Sequence, residues 1–169
     1  MTMGEGLARA GMLFGLIQFS AMAWAFFIGM IADKYDRTIA LALGLGIATL
    51  GYGGMGLMVS DPFTSQIIPY CIVLGMGETS VIITAGALLG QEMPKGRRSA
   101  VVGAYSLLGG LGILVAGFFG GQVFDAIGRT APFTMMAAVN FLLMLIAIYL
   151  WRSDIGRSLY AKDKLSAEA

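Results

Sequence analysis

The sequence predicts an all-α integral membrane protein built from five transmembrane helices, and three observations carry that prediction. Of the 169 residues, 57% are hydrophobic and only 12% charged, whereas a soluble domain carries about 25% charge. The charges are clustered, leaving uncharged runs at 10–32, 38–60 and 99–124. None of these runs alternates apolar and polar residues as barrel strands do, so helices are left to satisfy the backbone in lipid. The 25 glycines have no three-residue period and suit close helix packing in a membrane.

The first span is placed at about 8–31. Its start, Arg9 followed by "GMLFGLIQFS" and the small residues Ala21, Ala23 and Ala25, has the look of a secretory signal with a cleavage site. The apolar run continues through "FFIGMI", however, and 23 uncharged residues make about 34 Å of helix, enough for a hydrocarbon core of roughly 30 Å. A membrane helix is therefore expected. The second span runs from Thr38 to about Ser60 and ends at the turn "SDPFTSQ". The third, about 66–90, contains a single acid, Glu78, and is closed by "QEMPKGRRS". The fourth, about 99–124, ends near "FDAIGRTAP". The fifth, about 132–151, precedes a polar tail, which gives a transmembrane bundle over 1–152 and a cytoplasmic tail over 153–169.

Basic residues orient the bundle. Lys34, Arg37, Lys95, Arg97, Arg98, Arg152, Arg157, Lys162 and Lys164 gather on one side, against Arg9 and Arg129 on the other. The positive-inside rule puts the first group, with the C-terminus, in the cytoplasm and the N-terminus outside. A bacterial inner, or plasma, membrane is expected. An odd helix count that starts outside suggests that a helix preceding this stretch is missing.

With no histidine and one cysteine, Cys71, the chain offers no zinc, haem or disulfide chemistry, and no cofactor or metal is expected. Ser–His and metal–His catalysis are removed for the same reason, and Glu78 alone is no acid–base pair, so an enzyme is disfavoured. Nothing points to a nucleic acid. The stretch "GYGGMG" (Gly51 to Gly56) fits G-x-G-x-x-G formally, but it follows no strand and lies inside a span, which excludes a dinucleotide site. The pairs Gly11/Gly15 and Gly117/Gly121 have small-xxx-small spacing and are expected to be helix-packing surfaces.

Glu78 lies 12 residues from Gln66 and 12 from Gly90, which places it near the bilayer midplane. Ionised carboxylates are costly there and face a cavity or the bundle interior. It is a candidate proton carrier, or a counter-charge for a cationic substrate. The bland alternative is a carboxyl that hydrogen-bonds a neighbouring helix or pairs with a base outside this stretch. Gly75 and Gly77 beside it can loosen the helix, and Thr79 and Ser80 add hydroxyls. Gln18 and Asn140 are also deep, each suited to an interhelical hydrogen bond of about 1 kcal/mol.

The segment "GMIADKYDRT" (Gly29 to Thr38) packs four charges into the five residues Asp33 to Arg37. As composition it is a basic cytoplasmic loop, with Asp33 able to cap a neighbouring helix start. Its order resembles the loop motif Gly-x-x-x-Asp-basic-x-Gly-basic of the major facilitator superfamily, with Gly29, Ala32, Asp33, Lys34 and Arg37 matching. Asp36 stands where the family has glycine, a position for which a left-handed backbone is expected and which aspartate tolerates. "PKGRRSAVVGAYSLLGGLGILVAGFFGG", with Pro94, Arg97, Arg98 and Gly103, is similar to that family's last cytoplasmic loop and eleventh helix. "GRTAPF" (Gly128 to Phe133) is similar to the entry to its last helix.

The resemblance implies a partial six-helix bundle, helices eight to twelve of a twelve-helix permease. Helices two to six are the other mapping, disfavoured by the weaker loop motif and the polar tail. It implies alternating access of a small solute, as symport, antiport or efflux, with protons as a coupling ion. The missing N-terminal half would be the partner within the lipid bilayer. Gly29, Asp33, Lys34 and Arg37 would form a conformational latch, and Glu78 and Gln18 would line the substrate or proton pathway. Asn140, on the peripheral last helix, would be structural. The competing reading is a five-helix assembly or accessory subunit with no transport of its own.

Overall fold

A computed structural model describes residues 3–59, 64–93 and 96–153. The expected tail, with Arg157, Lys162 and Lys164, lies outside the described residues, as do Pro94, Lys95 and residues 60–63 at the start of the "SDPFTSQ" turn. Among the described residues there are five α-helices and no strand: α1 (Met3–Lys34), α2 (Arg37–Leu57), α3 (Ile67–Glu92), α4 (Arg98–Ile127) and α5 (Ala131–Arg152). All five are long and apolar enough to cross a membrane. The all-α membrane architecture read from the sequence is the architecture observed.

The turns between helices follow local chemistry. Asp36 accepts a hydrogen bond from the Thr38 N–H at 2.7 Å and so caps α2. Its backbone, at φ −58° and ψ 125°, is extended, not left-handed as the motif comparison suggests. An N-cap residue takes this geometry because its side chain must fold back onto the first free N–H groups. Between α4 and α5 the reversal does need a glycine: Gly128 has φ +134°. Pro132 then sits in the first turn of α5, where its missing N–H costs nothing.

Helix α2 is the axis of the bundle, packed on α3 along one side and on α5 along another, while α1 packs on α3. Contact partners give the directions. Along α2 and α3, Gly44 meets Ser80, Gly51 meets Leu74 and Gly54 meets Tyr70, an antiparallel register. Along α2 and α5, Gly46 meets Met144, Gly53 meets Ala137 and Gly56 meets Thr134, again antiparallel. Helices α1 and α3 run parallel, with Ile17 beside Gly75 and Trp24 bonded to Ser80.

These approaches are close enough to exclude side chains. A Cβ on Gly77 would lie 2.3 Å from the Ala48 backbone nitrogen, and one on Gly51 would lie 2.8 Å from the Leu74 Cα. The packing glycines are thus Gly44 and those of "GYGGMG" and "GMGETS". Gly11, Gly15, Gly117 and Gly121, the pairs expected to pack, meet nothing within 4 Å. Small-xxx-small spacing puts two glycines on one face but does not supply the opposing helix. The packed face of α1 carries Ile17, Ser20 and Trp24 instead.

Two apolar clusters fill the bundle. Met55, Val59, Ile67, Cys71 and Leu74 form one, toward the α2–α3 turn, and Ala42, Leu45 and Ala147 form the other. Helix α4 stands apart from both. It has no buried residue among the described residues and packs chiefly against α5.

Candidate functional site

The polar groups inside this apolar bundle converge on the middle of α3. Glu78 is the one charged residue between Ile67 and Gln91. Its carboxylate Oε1 accepts a hydrogen bond from the Tyr52 hydroxyl of α2. The geometry follows from helix direction. Side chains lean toward the N-terminus of their own helix. Because α2 and α3 are antiparallel, Tyr52 and Glu78 lean toward each other and bridge about one helical turn. The Tyr52 ring also lies 6.5 Å from that of Phe133 at the start of α5. Glu78 is half-buried and has no basic partner among the described residues.

A second polar node sits two residues further along α3. Ser80 is fully buried between α1 and α2. Its hydroxyl accepts a hydrogen bond from the Trp24 indole of α1 at 2.9 Å and donates to the Met76 carbonyl at 2.7 Å. On its other side the Ser80 Cβ fills the place a side chain on Gly44 would take. Thr84, also fully buried, bonds the Ser80 carbonyl at 2.6 Å, so it is satisfied within its own helix. Buried hydroxyls of this kind are paired because an unpaired one costs several kcal/mol, roughly, in hydrocarbon.

Gln18 is exposed on α1 and makes no hydrogen bond among the described residues, so the structure does not bring it to Glu78. Asn140 bonds the Met136 carbonyl of its own helix at 2.9 Å and bridges to no neighbor. Trp24 and Tyr52 were hidden in the sequence. An aromatic in an apolar run reads as a lipid contact, and only pairing across helices identifies the polar tip as the working part.

In the Gly29 to Thr38 turn, the cap falls on Asp36, not Asp33. Asp33 is exposed, with no hydrogen bond or ion pair among the described residues. It lies in the last turn of α1, three residues before the N-cap of α2. Lys34 holds its ammonium 5.9 Å from the Tyr35 ring. Arg37 reaches across to α3 and donates to the Ala87 carbonyl at 3.3 Å, placing a cation near the negative end of that helix. Gly29 meets nothing within 4 Å. Of the four residues expected to form a latch, Arg37 alone ties two helices together among the described residues.

A family model described as the Major Facilitator Superfamily matches residues 2–164. The chain is 32% identical over 155 residues to the magnetosome protein MamZ of Paramagnetospirillum magneticum, covering 89% of this chain and 23% of MamZ. It is 27% identical over 154 residues to the magnetosome protein MamH of the same organism, covering 89% of this chain and 35% of MamH. It is also 29% identical over 152 residues to the multidrug resistance protein MdtG of a Rahnella species, covering 86% of this chain and 34% of MdtG. The chain thus spans about a quarter to a third of the length of these curated relatives. No solved structure matches it.

Proposed function

The chain belongs to the Major Facilitator Superfamily, and from that premise we propose that it forms part of a secondary active transporter. That transporter moves a small solute by alternating access, with the Tyr52–Glu78 pair as its ion-responsive element. The observation that carries the reading is a carboxylate in the middle of a membrane helix whose hydrogen-bond partner is a neutral hydroxyl on the next helix. A proton or a cationic solute arriving at Glu78 changes the charge of the group that Tyr52 bonds, so occupancy is coupled to the α2–α3 contact.

In the same reading the bundle works against a second set of helices, the other half of the permease, and the two rock about a shared cavity. The turn from Gly29 to Arg37 acts as a latch between halves. Arg37 supports this by fixing α2 to α3 while Asp33 and Lys34 stay exposed for a partner. In this reading Gln18, exposed on α1 and away from Glu78, faces the second set of helices. The basic side is cytoplasmic, and the membrane is a bacterial plasma membrane. Two relatives are named magnetosome proteins, which makes a magnetosome membrane the second place to look. A fluorescent fusion separates the two.

The test uses a lipophilic cation, ethidium, because Glu78 is suited to a positive charge and one relative is named a multidrug resistance protein. Cells expressing the intact reading frame are expected to accumulate less ethidium than vector controls, and Glu78→Gln is expected to abolish the difference. Equal accumulation in wild type and Glu78→Gln, both below the control, would remove Glu78 from the pathway. Accumulation equal to the control in the wild type would count against a cation efflux role and favor an accessory subunit.

A further inference from the structure

A groove of about 680 Å³ lies between α2 and α5, on a different side of α2 from the Tyr52–Glu78 pair. Its walls are apolar, with Leu43, Ile47 and Leu50 from α2 and Phe141 and Ile148 from α5. Gly46 forms part of the floor, where only the Met144 sulfur approaches. Of its polar residues, Thr49 is satisfied by the Leu45 carbonyl at 2.8 Å and asks for no ligand. The other is Arg152, at one end beside Trp151. The Arg152 guanidinium makes no hydrogen bond or ion pair among the described residues, and the side chain is exposed. This is the end of the bundle that also carries Lys34 and Arg37.

The dimensions limit the occupant. From Ile39 to Leu50, or from Phe141 to Arg152, the lining spans about 17 Å of helix. That length is close to one leaflet's hydrocarbon depth, half of roughly 30 Å. A solute carried across the membrane would want polar groups along the walls, and these are missing. A hydrocarbon chain suits apolar walls of that length, and a cation with an indole at one end matches a phosphate at the membrane boundary.

We propose that the α2–α5 groove binds one anionic membrane phospholipid, its acyl chain lying along Leu43, Ile47 and Phe141 and its phosphate on Arg152. The site is independent of the transport reading, because it shares no residue with Glu78, Tyr52 or Gln18.

Native mass spectrometry of the full chain in detergent, with added dioleoyl-phosphatidylglycerol or dioleoyl-phosphatidylcholine, tests it. The expected result is one phosphatidylglycerol retained under activation that strips phosphatidylcholine. Arg152→Gln is expected to lower that retention about fivefold, as loss of one basic residue from an anionic lipid contact implies, while Arg152→Lys keeps most of it. Gly46→Leu, which fills the floor, is expected to reduce both lipids. Should that variant misfold, the exposed Arg152 pair decides alone. Equal retention of the two lipids by wild type, unchanged retention in Arg152→Gln, or a dimer whose formation excludes lipid would each overturn the proposal.

Discussion

The Tyr52 hydroxyl donates to the Glu78 carboxylate across the antiparallel contact of α2 and α3. Each residue has a backbone-level neighbor that is glycine: Gly51 lies against Leu74, and Gly77 against Ala48. The close approach that these glycines permit sets the distance over which the pair can bond. Function and packing are therefore linked at one seam.

Tyr52→Phe removes the hydroxyl and leaves the ring beside Phe133. A membrane hydrogen bond of this kind contributes about 0.6–2 kcal/mol, so thermal unfolding in detergent should fall by about that much. Glu78→Gln keeps an acceptor oxygen for Tyr52 and should leave unfolding nearly unchanged while removing the ionisable group. Transport that survives Glu78→Gln but fails in Tyr52→Phe would assign the pair a packing role only.

Gly77→Ala places a Cβ 2.3 Å from the Ala48 nitrogen, so α2 and α3 must separate. Overpacking of this kind costs about 1–3 kcal/mol. Gly117→Ala, which meets nothing within 4 Å, should stay within about 0.5 kcal/mol of wild type. Equal losses at the two positions would show that the α2–α3 seam is not where the bundle is tightest.

Asp36→Ala removes the cap on α2 and should cost about 1 kcal/mol. Asp33→Asn, at an exposed carboxylate with no bond among the described residues, should change stability by less than about 0.5 kcal/mol. If Asp33 works as a latch, that same variant lowers the rate of transport by the intact protein. A stability loss at Asp33 with none at Asp36 would reverse the two assignments.

Cys71 is buried against Met55, Val59, Ile67 and Leu74. A membrane-permeant maleimide should therefore leave it unlabeled in the folded chain and label it after denaturation. Labeling in the folded state would mean that α2 and α3 open at the end away from Arg37.

The five helices were legible because charge and apolar run length report directly on lipid crossing. The loop from Gly29 to Thr38 was legible as a motif, and Glu78 stood out as a lone charge in a 25-residue helix stretch. Other features depend on which faces meet, and no single helix encodes that. Tyr52 looked like one more aromatic until α3 put Glu78 opposite it. Trp24 was hidden in the same way by its distance from Ser80. The packing glycines were misplaced because spacing along one helix carries no information about its neighbor, so Gly11 and Gly117 scored as well as Gly51 and Gly77. Asp36 was read as a substitute for a glycine, although the residue preceding Arg37 occupies the N-cap, a role in which aspartate is preferred over glycine.

The most direct test of the central claim is proton movement linked to Glu78. The intact protein, reconstituted into vesicles loaded with the pH dye pyranine, is given an ethidium gradient. Wild type is expected to change the internal pH as ethidium moves, and Glu78→Gln to leave it unchanged. The same pH change in both proteins would contradict the account, because the carboxylate bonded to Tyr52 would then not be the group that couples the two movements.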